Sequence, residues 1–202
     1  MKRFMMFAAV LMAAVTFAIA ADTAKIGKPA PAFELQDQNG KTVTLAEQKG
    51  KIVVLEWFNN DCPYVVRHYE KDKTMATLSD KYSSKDVVWL AVNSTHRSAS
   101  DYTEPALLTT QLKQFDAAPT NYLMDEPGAM GKAYGAKTTP HMFVISPEGK
   151  VLYNGAIDDK RSSNPADART ANNYVRAALT EAKAGKPVTV ASTAPYGCSV
   201  KY

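Results

Sequence analysis

Cysteine is scarce in this chain: Cys62 and Cys198 are the two in 202 residues. They stand too far apart for zinc-finger or disulfide-scaffold spacing, so the fold has to rest on an apolar core. A glycine-rich phosphate loop, a paired-carboxylate site and a Ser-His-Asp set are all missing from the sequence. No bound cofactor and no resident metal is therefore expected. The formal net charge is only +4, with no basic stripe, which argues against nucleic acid as a partner. Internal repeats and low-complexity segments are absent. Past residue 20 no apolar run is long enough to span a membrane.

The first residues look like an address label. Lys2 and Arg3 form a basic start, residues 4–19 are apolar apart from Thr16, and Ala18-Ile19-Ala20 is a small-x-small cleavage site. Residues 1–20 are read as a secretory leader, so the mature protein is expected to be exported, periplasmic or secreted, with no membrane span once the leader is cleaved. An oxidising compartment makes two cysteines either a structural disulfide or a redox couple. One domain is expected over residues 21–185, followed by a tail over 186–202 that carries Cys198.

The domain is organised around residues 51–68. Ile52, Val53, Val54 and Leu55 form a short β-branched apolar run, continued by Trp57 and Phe58, which predicts a strand buried on both faces. Asn59, Asn60 and Asp61 break it with turn formers. Cys62 follows, and Pro63 suits the first turn of a helix. Strand, loop, cysteine, helix puts a thiol where helix N–H groups and the helix dipole favour a thiolate, so Cys62 is the candidate nucleophile, with an expected pKa below the free value of about 8.5. The helix is expected to run on from Tyr64, with Arg67 and His68 on a solvated face.

Around this centre, Asp37-Gln38-Asn39-Gly40 predicts a hairpin between short apolar stretches. Residues 87–92 read as a second buried strand, followed by a polar loop holding His96. Pro105 opens a helix with Leu108, Leu112 and Phe115 on one face. Residues 122–124 and 141–146 read as strands, the latter turning at 146–149 into a hairpin with 151–157. A short helix over 128–134 ends at Gly135, and one long helix is expected over 165–184, closed by Gly185. Asp158 and Asp159, beside Lys160 and Arg161, read as a solvated charge cluster. Alternating strands and helices imply a mixed α/β sheet with helices on both faces, and chemistry in such sheets sits beyond the carboxyl ends of strands, where Cys62 lies.

These residues carry a family resemblance. Trp57-Phe58-x-x-x-Cys62-Pro63 resembles the active-site entry of the thioredoxin fold, and Thr138-Thr139-Pro140 with the strand after it resembles that fold's cis-proline loop. Met124-Asp125, Ala133-Tyr134-Gly135-Ala136 and Ile157-Asp158-Asp159 are similar to the redoxin group related to alkyl hydroperoxide reductase and thiol-specific antioxidant proteins. Gly197-Cys198-Ser199-Val200-Lys201-Tyr202 resembles the tail of exported peroxiredoxin-like proteins. The resemblance covers about residues 26–160 and the tail. It implies a thioredoxin-like α/β fold, with a mixed central sheet flanked by helices, an N-terminal hairpin extension and a C-terminal tail. It also implies a thiol-dependent oxidoreductase in which Cys62 attacks a peroxide or a protein or small-molecule disulfide, with regeneration by a thiol reductant. Pro140, taken as cis, and Thr139 before it would lie against the sulfur, and His141 close enough to steady a thiolate or take its proton.

The chain also departs from the pattern. Val65 stands where thioredoxins have their second cysteine, and Asn59 and Leu55 replace the Thr and Pro of the peroxiredoxin motif. An oxidised Cys62 thus has no local partner. The stretch from Gly185 to Cys198 reaches at most about 45 Å when extended, against a domain radius of gyration of roughly 15 Å. Cys198 is therefore a candidate resolving cysteine, within one chain or between two. A permanent structural disulfide in a non-catalytic interaction protein and a tail thiol that meets an outside partner are the alternatives. A copper-binding chaperone of the same fold, using Cys62 and His141, is another.

Overall fold

The computed structural model describes residues 23–71, 73–82, 85–114 and 119–202. The leader expected over 1–20 and Phe115 lie outside the described residues.

A seven-stranded mixed sheet runs in the order β2-β1-β5-β4-β3-β7-β8. Its centre is β3 (Ile52–Trp57), parallel to β4 (Val87–Asn93) on one side and antiparallel to β7 (His141–Ile145) on the other. β5 (Asn121–Met124) continues the parallel part. The hairpin of β1 (Glu34–Asp37) and β2 (Thr42–Thr44) adds one edge, and β8 (Val151–Gly155) the other. At the first hairpin's turn, Asp37 Oδ1 accepts from Asn39 and Lys41 N–H, and Gly40 supplies the positive φ of 78°.

Every β3 residue is buried, as expected for a strand covered on both faces. The period of two divides the core. Val54, Trp89, Ala91, Met142 and Val144 face one cluster; Val53, Leu55, Trp57, Leu90, Phe143 and Ile145 face the other. The first is roofed by α2 (Thr74–Tyr82) through Met75 and Leu78, and by α6 (Tyr174–Lys183) through Val175, Ala178 and Leu179. Met130 and Tyr134 of α4 (Ala129–Tyr134) cover the second. Leu108 of α3 (Pro105–Gln114) packs into the first cluster.

Two helical expectations are corrected. The stretch after Cys62 is not one helix: α1 (Pro63–Val66) passes into a π turn over Arg67–Lys71, and α2 starts afresh after Lys73, whose φ is +49°. The dipole behind Cys62 thus comes from a shorter element than the sequence suggests. The long helix expected over 165–184 is two, α5 (Pro165–Thr170) and α6, because Asn173 leaves helical geometry to accept the Arg176 N–H and cap the second.

The tail has structure of its own. β9 (Cys198–Ser199) pairs antiparallel with β6 (Thr138–Thr139), forming a two-stranded ladder apart from the main sheet.

Candidate active site

Cys62 sits just beyond the carboxyl end of β3, as the N-cap residue of α1, and its carbonyl accepts from the Val65 and Val66 N–H groups. The loop before it is fixed by side chains. Asn59 Oδ1 accepts from the Asp61 N–H at 2.8 Å, and Asn59 Nδ2 donates to Asp101 at 3.0 Å. From the other side, Thr139-Pro140 is a cis peptide bond, and the Thr139 carbonyl oxygen lies 2.9 Å from Cys62 Sγ.

Cys198 is delivered to the same place by the tail. In the β6–β9 ladder Cys198 pairs with Thr139, and Cys62 and Cys198 form a disulfide with Cα atoms 6.0 Å apart across 136 residues. Gly197 makes this approach possible. A Cβ there would collide with the Thr139 carbonyl, and its φ of 142° disfavours side chains in any case. Cys62, Thr139, Pro140 and Cys198 therefore come together within one chain.

His141 is positioned differently from the sequence expectation. It lies on β7 opposite Trp57, buried, with Nδ1 accepting from Lys137 N–H at 3.2 Å and Nε2 2.7 Å from Asn154 Oδ1. Both ring nitrogens are engaged away from Cys62. Burial lowers its pKa to about 4, so the ring is neutral near pH 7 and brings no positive charge to a thiolate. His96 is exposed, its ring on Ser98, while its backbone N–H reaches the tail at Lys201 O (2.7 Å). Trp57 is a core residue, its ring tilted against Tyr134 and edge-on to Phe143, with its indole N–H on Ser94. Among the described residues no group of three or more His, Cys, Asp or Glu side chains could hold a metal ion.

Three ionisable residues read as solvent-facing are buried instead. Arg67 is 1% and His68 0% exposed, and Asp158 is 2% exposed. Arg67 Nη2 donates to Asp158 Oδ2 at 2.8 Å. The π turn rotates Arg67 and His68 inward, toward the loop after β8, where Asp158 waits. Burial pushes the His68 pKa down to about 3, with Arg67 adding to the shift, so this ring too is neutral.

Glu56 is the residue that sequence reading passed over. It is fully buried on β3, where the Tyr69 hydroxyl (2.6 Å) and the Trp89 indole N–H (2.9 Å) both donate to Oε2. Its signal was a lone carboxylate inside an apolar run. Burial raises its pKa to about 7 from 4.5, against the pull of those two donors. Between these values the folded state keeps a proton that the unfolded chain releases. The contribution to stability is full below pH 4.5 and is lost as pH rises through 7, a change on the order of 3 kcal/mol. Glu56→Gln is expected to flatten the fall in unfolding free energy between pH 5 and pH 8, measured by denaturant titration. An unchanged pH slope in the variant would refute this assignment.

Comparison with known proteins agrees with the geometry. The AhpC/TSA family model matches residues 26–154. A thiol-disulfide oxidoreductase ResA from Bacillus thuringiensis subsp. konkukian is 33% identical over 129 residues, covering 63% of this chain and 68% of its own length. An uncharacterized conserved protein of known structure from Geobacillus kaustophilus superposes with a TM-score of 0.76 at 29% identity, covering 90% of this chain and 94% of the other. The thioredoxin domain of a thiol-disulfide oxidoreductase from Bacteroides vulgatus superposes with a TM-score of 0.52 at 19% identity, covering 73% and 97%, a likeness of fold. The expected thioredoxin-like fold is the one found.

Proposed function

The chain belongs to the AhpC/TSA family, and we propose that it is a thiol-disulfide oxidoreductase whose working couple is Cys62 and Cys198. One observation carries the reading: a tail strand lays Cys198 on Cys62 beside the cis-proline loop. In the reduced protein the Cys62 thiolate attacks one sulfur of a client disulfide. A mixed disulfide forms and the client's other sulfur leaves as thiolate. The Cys198 thiolate then attacks Cys62 Sγ. The Cys62–Cys198 disulfide closes and the second client sulfur leaves, so two electrons pass from the pair to the client. An external thiol reductant reopens the pair.

A protein disulfide suits this site better than a peroxide. Asn59 stands where a peroxiredoxin has its Thr, and its amide is committed to Asp61 and Asp101 rather than to an oxyanion beside the sulfur. The relative in Bacillus thuringiensis is named for disulfide chemistry as well. The copper-chaperone reading loses its imidazole, since both His141 nitrogens are occupied. The working compartment is outside the cytoplasm: a leader-like start and the Cys62–Cys198 disulfide favour it. No helix among the described residues is long and apolar enough to cross a membrane.

The substrate is tested by offering the fully reduced protein equal concentrations of an oxidised protein disulfide and of hydrogen peroxide. The Cys62–Cys198 bond is then followed by mass spectrometry after acid quench. Closure is expected at least about tenfold faster with the protein disulfide. Faster closure with peroxide, through a sulfenic acid on Cys62, would make the protein a thiol peroxidase instead.

A further inference from the structure

The tail is gripped at points other than the disulfide. Two residues before Cys198, Tyr196 is buried, and its hydroxyl donates to Asp158 Oδ1. Asp158 is gripped in turn by Arg67 Nη2, and Arg67 Nη1 donates to the carbonyls of Lys160 (2.7 Å) and Ser162 while lying 3.5 Å from the Tyr196 oxygen. The Tyr64 ring meets the Tyr196 ring edge-on at 5.9 Å. On the far side of Cys198, Val200 N–H donates to Lys137 O, and the Tyr202 hydroxyl donates to Ala136 O at 2.7 Å. Tyr64 and Arg67 are part of the helical stretch that Cys62 begins, so the receptor for Tyr196 is built on the same element as the attacking sulfur.

We infer that Tyr196, held by Asp158 and Arg67, is a latch that keeps Cys198 docked over Cys62 when the disulfide is open. Asp158 and Tyr196 are then positioning residues for the resolution step, and this assignment rests on the couple proposed above. None of the three touches the reacting sulfurs. They act on the fraction of reduced protein whose tail is docked, and the closure equilibrium scales with that fraction. A docked thiol resolves the mixed disulfide as a near-unimolecular reaction, so the client is released before an outside thiol attacks the mixed disulfide. The two nucleophiles keep their chemistry, and the latch sets how long a client stays attached.

The test equilibrates wild type, Tyr196→Phe and Asp158→Asn against a graded series of reduced and oxidised dithiothreitol. The fraction of closed Cys62–Cys198 is read by mass spectrometry after alkylation. Tyr196→Phe is expected to lower the closure constant about tenfold, equivalent to a reduction potential about 30 mV less negative. Asp158→Asn should act in the same direction, and the Cys62 alkylation-pH profile should not move in Tyr196→Phe. Tyr82→Phe, which removes a hydroxyl bonded to Thr180 rather than to Asp158 or Arg67, should leave the constant unchanged. A purely structural loss would weaken oxidised and reduced folded states alike and leave the closure constant where it was. A closure constant in Tyr196→Phe within twofold of wild type overturns the latch while the couple stands. Wild-type protein that does not open and close across the series overturns the couple, and the latch with it. If Asp158→Asn fails to fold, Tyr196→Phe, which removes one oxygen, decides.

Discussion

Cys62→Ser is expected to reduce protein disulfides no faster than a protein-free control. The serine hydroxyl is not ionised near neutral pH and does not attack a disulfide sulfur, and Cys198, left without its partner, lacks the helix N-terminus that favours the Cys62 thiolate. The loss should exceed about a thousandfold, since nucleophile removal eliminates the covalent path rather than slowing it. The fold should survive. Cys62 is a small residue in a cluster with Val54, Phe58, Val65 and Tyr69, and serine has nearly its volume. Insulin reduction with a recycling thiol gives the rate, and near-ultraviolet circular dichroism checks the packing. Turnover within tenfold of wild type would remove Cys62 from the mechanism.

Cys198→Ser separates the two half-reactions. Its Cys62 still attacks, so a covalent mixed disulfide with the client should accumulate and be visible by mass spectrometry. Steady-state turnover should fall because release now waits for an external thiol. The same variant should also unfold more easily than the oxidised wild type. Closing a loop across 136 residues is worth on the order of 5 kcal/mol in the chain-entropy model. That entropy is lost by the unfolded chain, and the β6–β9 ladder, Tyr196 and Tyr202 hold the native tail with or without the bond, so most of the figure should appear as stability. Guanidinium titration of oxidised wild type against the variant measures it. A difference below about 1 kcal/mol would mean that the tail comes loose in the folded variant, which then gains the freedom that the unfolded chain gains. A variant that turns over at the wild-type rate with no trapped intermediate would show that Cys198 does not resolve Cys62.

Much of the centre was legible because its signals are local. The β-branched run from Ile52, the turn formers Asn59 to Asp61 and the Cys62-Pro63 start each constrain a few neighbouring residues. The apolar runs of β3 and β4 marked strands covered on both faces. Cys198 was legible only as a candidate, since reach permits many endpoints. The register that chooses one, Thr139 opposite Cys198, is a long-range pairing. Arg67, His68 and Asp158 were misread for a related reason. Charged residues are buried only when paired, and their partners, Tyr196 among them, come from loops and the tail far along the chain. The π turn that rotates Arg67 inward has no simple sequence period. The break between α5 and α6 was readable in principle: Asn172-Asn173 is a capping signal inside an otherwise helical stretch. Glu56 shows the opposite lesson, since a single carboxylate in a strand buried on both faces should be taken as a placed group.

The reversible opening of one bond tests the whole reading most directly. Purified protein is equilibrated across a redox series from strongly oxidising to strongly reducing, alkylated and mapped by peptide mass spectrometry. The reading predicts one two-electron transition in which the Cys62–Cys198 crosslink is lost and regained together with the ability to reduce a protein disulfide. A crosslink that stays closed in the folded protein at every potential, or activity that persists while it stays closed, would contradict it.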